Sequence, residues 1–218
     1  MKTIYLVRHG ESEANAGAPL FQGEASLLTP RGHEQARFIA ERCRKLSFDV
    51  LLASPAVRTQ ATAKYISDVT GKPIITEPLL VERQLPDELI GKPQADRAAN
   101  EVYEKWERSF FEEGIRVGTG ENFDDLKKRA GAVLEYLGKR PESSLLLVSH
   151  GFLLRMIVAR ITFGEALTIG EFTKILQAFR TANTGLSHLE YQPKSGGTTG
   201  LPTPQWLIRV WNDHAHLG

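Results

Sequence analysis

The chain has 218 residues, 41% of them hydrophobic, which is enough for one sizeable core. Its 27 Lys and Arg residues nearly balance 26 Asp and Glu residues, which excludes a global positive field for nucleic acid or an anionic membrane. A single cysteine, Cys43, excludes an internal disulfide, and no segment approaches the length of a membrane span. These observations predict one cytoplasmic domain over residues 1–218.

The first predicted strand ends on polar residues. An apolar run over residues 3–7 is followed directly by Arg8 and His9. Downstream, Thr29 and Pro30 combine a helix N-cap with proline at the first helical position, which predicts a helix from Pro30. Because open α/β sheets place their ligand crevice at the carboxyl ends of strands, Arg8 and His9 are expected to line one.

A second strand and helix follow the same pattern. Residues 50–53 are apolar and predict a buried strand, and Ser54 with Pro55 repeats the pairing of a cap with a proline. Ser54 is therefore predicted as the N-cap of a helix that ends near Gly71. Arg58 then lies on the first turn of this helix, near the end of the strand.

The middle of the chain is more polar. After a short strand at residues 74–76, the stretch at about 78–122 is expected to form a cap-like insertion containing one helix. Asn122 is predicted to cap a further helix whose apolar positions follow the helical period. On that helix, the basic run 127–129 is interpreted as a solvated face.

The last third of the chain repeats the arrangement of the first strand. The apolar residues 145–148 lead into Ser149, His150 and Gly151, and a helix is predicted from Phe152. Two strands are expected later, separated by a segment rich in Gly, Thr and Pro that is predicted to be a surface loop, residues 193–204.

Alternation of strands and helices predicts the fold class. The expected architecture is an α/β three-layer sandwich, in which a mostly parallel central sheet has helices on both faces. Four cationic or imidazole side chains then collect at the carboxyl ends of the strands: Arg8, His9, Arg58 and His150.

Two arginines and two histidines in one crevice make an electropositive pocket whose donors suit a phosphoryl group. Neighbouring cations lower the pKa of an imidazole there, so that one ring nitrogen stays unprotonated and nucleophilic. Attack of this nitrogen on phosphorus would replace one difficult displacement by two easier ones. In each of them, the other donors would stabilise the charge on the equatorial oxygens of the phosphoryl group. This chemistry requires neither a metal nor another cofactor.

Several motifs together resemble the histidine phosphatase superfamily, also called phosphoglycerate mutase-like. They occur in the order typical of the family within residues 4–151: Arg8-His9-Gly10-Glu11-Ser12 with Asn15, Leu28-Thr29-Pro30-Arg31-Gly32, Ser54-Pro55 with Arg58-Thr59, and Ser149-His150-Gly151. The resemblance implies that His9 is the phosphorylated nucleophile. It implies a phosphate clamp of Arg8, Arg58 and His150, with polar contacts from Asn15 and from Asn183 in the late Asn183-Thr184-Gly185 motif.

The resemblance also implies a general acid. The sequence Leu80-Val81-Glu82-Arg83 is similar to the glutamate motif of the family, which makes Glu82 the expected proton donor. The usual downstream glycine spacing is absent, and Asp87 and Glu88 therefore remain alternatives.

Three functions compete. The leading hypothesis is a metal-independent phosphomonoester hydrolase that forms a phosphohistidine on His9 and acts on a small phosphorylated substrate. Phosphoglycerate mutase-type transfer is the first alternative, since Glu82-Arg83 followed by Trp106 and Ser109-Phe110 resembles that branch, although the segment 110–120 is shorter than in mutases. A non-catalytic phosphate-binding module is the second, and the intact set of His9, Arg58 and His150 argues against it. The physiological substrate and the oligomeric state are not predicted.

Overall fold

In the part of the chain that the structure describes, six strands form one sheet. The computed structural model describes residues 1–192 and 206–218, so the loop predicted at 193–204 lies outside the described residues. In chain order the strands are β1 (Lys2–Arg8), β2 (Val50–Ala53), β3 (Ile74–Thr76), β4 (Ser144–Ser149), β5 (Leu186–Tyr191) and β6 (Trp206–Asp213).

The sheet order is β3-β2-β4-β1-β5-β6. Strands β3, β2, β4 and β1 pair in parallel, whereas β5 is antiparallel to both of its neighbours. The prediction of a mostly parallel sheet is therefore confirmed. The two strands that end in histidine motifs, β1 and β4, are direct neighbours near the centre of the sheet.

Helices cover both faces of the sheet. The α-helices of the described residues are α1 (Pro30–Cys43), α2 (Val57–Thr70), α3 (Arg97–Ser109), α4 (Phe123–Lys139), α5 (Gly151–Phe163) and α6 (Ile169–Ala178). One buried apolar cluster joins α1 and α2 to one face of the sheet, and another joins α4, α5 and α6 to the other face. This confirms the three-layer sandwich. No helix among the described residues is both long and apolar enough to cross a membrane.

Two predicted helix caps are present and one is wrong. The Thr29 side chain accepts a hydrogen bond from the Gly32 amide, and Asn122 forms a capping box with Asp125. In contrast, α2 begins at Val57 with Ala56 as its N-cap, not Ser54. The Ser54 hydroxyl instead bonds with the His150 ring, so it does not cap the helix.

Helix α6 was not predicted, because its ten residues give a short periodic pattern. A signal for it exists in the sequence, since Thr168 and Glu171 form a capping box at its start. The helix buries Phe172 and Ile175 against the core.

Candidate active site

The register of the sheet brings the two histidines together. Arg8 on β1 pairs with Ser149 on β4, and His9 and His150 each follow one residue later. The His9 amide donates to the Ser149 carbonyl at 3.0 Å, and the two imidazole centroids lie 5.2 Å apart. Both rings are buried at the carboxyl edge of the sheet.

Glycines allow the chain to turn tightly after His9. A Cβ atom on Gly10 would lie 2.5 Å from the Gly32 carbonyl oxygen, and one on Gly32 would collide with the Glu11 carbonyl. The loop after β1 therefore lies directly against the first turn of α1, where no side chain fits. This packing explains the glycine in each of the two motifs.

The hydrogen bonds of His9 define its tautomer. Its Nδ1 lies 2.6 Å from the Gly10 carbonyl oxygen, which only accepts, so Nδ1 carries the proton. The Nε2 lone pair faces the Nε–H of Arg58 at 3.2 Å. Burial, followed by the charges of Arg58 and Arg8, holds the pKa of His9 well below 6.5. An unprotonated Nε2 is the state that attacks phosphorus.

Arg58, on the first turn of α2, contacts both histidines. Besides its contact with His9, it donates to Nδ1 of His150 at 3.0 Å and to the Gly23 carbonyl at 2.9 Å. Since Nδ1 of His150 accepts, its Nε2 carries the proton and donates to the Ser54 hydroxyl at 2.9 Å. Burial and the charge of Arg58 lower the pKa of His150 well below its usual value.

Arg8 closes one side of the pocket. It donates to the Thr181 carbonyl at 2.5 Å, while its Nε is buried and has no hydrogen-bond partner in the described part of the chain. A Cβ on Gly151 would lie 3.2 Å from this Nε, so the glycine after His150 makes room for Arg8. Burial lowers the pKa of Arg8, and the nearby Glu82 charge acts in the opposite direction.

Glu82 sits at the amino end of α5. Its carboxylate accepts hydrogen bonds from the amides of Arg83 at 3.1 Å, Leu153 at 3.1 Å and Phe152 at 3.2 Å. It lines the same cavity as Arg8, His9 and Arg58. Of the two alternatives, Asp87 also lines this cavity, whereas Glu88 does not.

Asn15 and Asn183 meet at the edge of the pocket. The Asn183 side-chain amide donates to the His9 carbonyl at 3.0 Å and to Oδ1 of Asn15 at 3.1 Å. Oδ1 of Asn15 also accepts from the Ser12 amide at 3.3 Å. Asn15 lines the cavity, while Asn183 holds the backbone of His9 from the side.

The cavity has a volume of about 740 Å³ and an apolar outer part. The sequence analysis did not predict that the loop before α1 lines this cavity. The available signal was the pair of apolar residues Leu20 and Phe21 in an otherwise polar loop. The outer wall comes from this loop, from the segment after β3 and from α3: Leu20, Phe21, Leu85, Ile90, Tyr103 and Trp106.

Arg129 was also missed, and its interpretation as part of a solvated face is wrong. Its guanidinium donates to the carbonyls of Val81 at 2.6 Å and Glu82 at 3.2 Å and pairs with Glu121 at 2.6 Å. The periodicity of α4 does not reveal that the segment after β3 passes over this part of the helix. Arg129 therefore holds the backbone that carries Glu82.

The Arg83 side chain lines the cavity, but its guanidinium is already engaged with neighbouring protein groups. It stacks 3.6 Å from the Trp106 ring centroid and pairs with Glu107 at 3.0 Å. Burial lowers its pKa to about 10, against the opposing charge of Glu107. Arg97, at the start of α3, is exposed to solvent. Among residues 1–192 and 206–218, no three His, Cys, Asp or Glu side chains are grouped to hold a metal.

Comparison with known proteins gives results consistent with this geometry. A family model described as histidine phosphatase superfamily (branch 1) matches residues 4–201. A relative from Enterobacter sp. (strain 638), named probable phosphoglycerate mutase GpmB, is 35% identical, with 100% of this chain and 95% of the relative covered.

Solved structures share the fold. The alpha-ribazole phosphatase from Shigella flexneri superposes with a TM-score of 0.76 at 25% identity, covering 97% of this chain and 96% of that one. Phosphoserine phosphatase from Entamoeba histolytica, in complex with 3-phosphoglyceric acid, gives a TM-score of 0.70 at 23% identity, with both chains covered completely. With a family model spanning most of its length and relatives matched end to end, this chain belongs to the histidine phosphatase superfamily, branch 1.

Proposed function

We propose that the protein is a metal-independent phosphomonoester hydrolase that works through a phosphohistidine on His9. The observation that carries the proposal is the unprotonated Nε2 of His9, which faces the Arg58 guanidinium in a buried cationic pocket. A phosphoryl group is the substrate group whose charge and oxygen geometry suit that arrangement.

In the first step, Arg8 and Arg58 hold the phosphoryl oxygens, while His150, whose two ring nitrogens are hydrogen-bonded to Arg58 and Ser54, orients Arg58. Nε2 of His9 attacks phosphorus, the bond to the leaving oxygen breaks, and that oxygen takes a proton from Glu82, which takes part in this step as the carboxylic acid. In the second step, water attacks phosphorus, the P–N bond breaks, and Glu82 takes the proton of the water. Phosphate leaves, and His9 and Glu82 return to their initial states.

Phosphoglycerate mutase-type transfer is the second candidate, and it is favoured by the 35% identical relative with that name. One feature of the site speaks for hydrolysis. Arg83, a buried cation that lines the cavity, is paired with Glu107 and stacked on Trp106, so it is not free to hold a substrate carboxylate. A non-catalytic phosphate binder would not need the hydrogen bond that sets the His9 tautomer.

The insertion at about 78–122 is proposed to be the cap that selects the substrate. Its residues pack with Phe21 in a small apolar cluster separate from the two main clusters. Tyr103 and Trp106 line the cavity from this side and favour a small substrate whose alcohol part is apolar or aromatic. A cytoplasmic location and the absence of nucleic-acid partners stay predictions.

The test compares hydrolysis with isomerisation. The protein is incubated, with a chelator, with p-nitrophenyl phosphate or with 3-phosphoglycerate plus 2,3-bisphosphoglycerate, and both free phosphate and isomerised product are measured. We expect phosphate release without isomerisation. We also expect an acid-labile phosphoenzyme that is lost in His9→Ala and kept in the control His33→Ala, whose ring contacts Tyr65 on the α1–α2 side. Isomerisation with little release, or turnover by His9→Ala, would overturn the proposal.

A further inference from the structure

A second cavity, of about 420 Å³, lies next to the first. Arg8 lines both cavities and thus forms a wall between them. The rest of the second cavity is built by the first turns of α5, the segment before β5 and the end of β6, which contribute Arg155, Arg180, Thr181, Asn212 and His214.

The charge of this cavity is one-sided. Three of its lining side chains are guanidiniums, from Arg8, Arg155 and Arg180, and none is a carboxylate. Within the described ranges, no ion pair involves any of the three. Residues 193–205 contain neither Asp nor Glu, so that segment supplies no acidic partner either.

The donors of these arginines are largely unused by the protein. Arg155 donates its Nε to the Gly151 carbonyl at 3.1 Å within its own helix, and the buried Nε of Arg8 has no partner in the described residues. Burial lowers the pKa of Arg155, and the charges of Arg8 and Arg180 add to this effect while Glu82 opposes it. The oxygens of Glu82 are already bonded to backbone amides.

Crowded guanidiniums with free donors are stabilised when an anion enters among them. We propose that this cavity binds an oxyanion of the phosphate or carboxylate class, held by Arg155 and Arg180 and sharing Arg8 with the phosphoryl pocket. The oxyanion is either a second anionic group of the substrate or a free ion. The proposal goes beyond the proposed hydrolysis, because it concerns binding and is measured without turnover.

The first experiment counts binding sites for inorganic phosphate by titration calorimetry. We expect two sites in the wild-type protein, one of which Arg180→Gln weakens at least about tenfold. Arg44→Gln, an exposed arginine paired with Glu41 outside both cavities, is the matched control and keeps both sites. Arg58→Gln is expected to weaken phosphate binding only at the phosphoryl pocket, so the two variants show which binding event belongs to which cavity. One site in the wild-type protein, or unchanged binding in Arg180→Gln, would overturn the proposal.

Folding of the variants is checked by thermal melting. Arg180 makes no side-chain hydrogen bond among the described residues, so Arg180→Gln is expected to melt like the wild-type protein. Arg155→Gln is the second variant and gives the same loss of one site. If the wild-type protein does not hydrolyse phosphomonoesters, the proposed function is contradicted, but the number of phosphate-binding sites can still be measured.

A kinetic comparison identifies the source of the oxyanion. If it is a group of the substrate, Arg180→Gln lowers kcat/KM for 3-phosphoglycerate at least about tenfold more than for p-nitrophenyl phosphate, which has no second anionic group. If it is a free ion, the two substrates respond equally, and the effect of added sulfate on KM is lost in the variant. Both outcomes support the site. If Arg180→Gln loses the second phosphate site and neither kinetic change is seen, the bound oxyanion does not affect the reaction. That result would overturn the proposal that it shares Arg8 with the phosphoryl pocket.

Discussion

The Nε of Arg58 lies 3.2 Å from Nε2 of His9, so the proposed nucleophile and a cation of the clamp are in direct contact. A guanidinium has donors and no acceptor, and Nε2 must therefore present its lone pair to this contact. The same arginine donates to His150. Burial, together with this one cation, thus lowers the pKa of both imidazoles and favours their neutral form before a phosphoryl group arrives.

Replacing this cation is expected to change the pH dependence. Burial, then Arg58, then Arg8 lower the pKa of His9, so Arg58→Gln raises it. Because a protonated imidazole does not attack, the acidic limb of kcat/KM moves to higher pH, and activity falls more at about pH 6 than at about pH 8. A pH profile and an NMR titration of the His9 ring nitrogens measure the shift. Arg31→Gln, an exposed control, leaves the limb in place; an unmoved limb in Arg58→Gln would contradict the expectation.

Glu82→Gln tests the proton donor. The variant is expected to lose about 10²–10⁴-fold in kcat/KM for an alkyl phosphate, whose leaving oxygen needs a proton, and much less for p-nitrophenyl phosphate. Steady-state kinetics with both substrates measure the difference. Asp87→Asn and Glu88→Gln serve as controls with little effect. The assignment fails if Glu82→Gln affects both substrates equally or if Asp87→Asn shows the dependence on the leaving group.

Arg129→Met tests whether Arg129 positions Glu82. The pair of Arg129 with Glu121 is about nine-tenths buried, so removing the cation leaves a buried carboxylate unpaired. The free energy of unfolding is expected to fall by about 3 kcal/mol in denaturant titrations. Because the backbone of Glu82 also loses a donor, kcat falls more for the alkyl phosphate than for p-nitrophenyl phosphate.

The neighbouring Lys128 is exposed, and Lys128→Met is therefore the control for both measurements. Lower stability with an unchanged dependence on the leaving group would show that Arg129 stabilises the fold without positioning the acid.

Cys43 is expected to be unreactive in the folded protein. Burial raises the pKa of its thiol to about 12, against the opposing charge of Arg42. Since the thiolate is the reacting form, a disulfide reagent at about pH 8 should label no thiol in native protein and one per chain after unfolding in guanidinium chloride. Labelling of native protein at the rate of a free thiol would show that the thiol is accessible.

The sequence predicted the parts of the site that depend on single strands and their ends. Apolar runs before Arg8 and Ser149 located two strands, and the crevice rule brought His9 and His150 to one edge. The position of Arg58 followed in the same way, although α2 begins later than expected.

What the sequence did not predict depends on contacts between distant segments. Arg129 lies in a basic run typical of a solvated surface, and only the path of the chain after β3 buries it. Ser54 has the residue type of a helix cap, but its hydroxyl is used by a histidine 96 residues later. Such choices are decided by tertiary hydrogen bonds, which local patterns do not contain.

The two imidazoles are spaced by backbone hydrogen bonds of neighbouring central strands, whereas the outer cavity is formed by loops and α3. Opening of loops costs much less free energy than separating central strands. As the temperature rises, we therefore expect the selectivity for the alcohol part of the substrate to fall before His9 and His150 separate. Amide exchange should show early opening around Phe21 and Tyr103, with protection at Leu6 and Leu147 lost only when the whole chain unfolds.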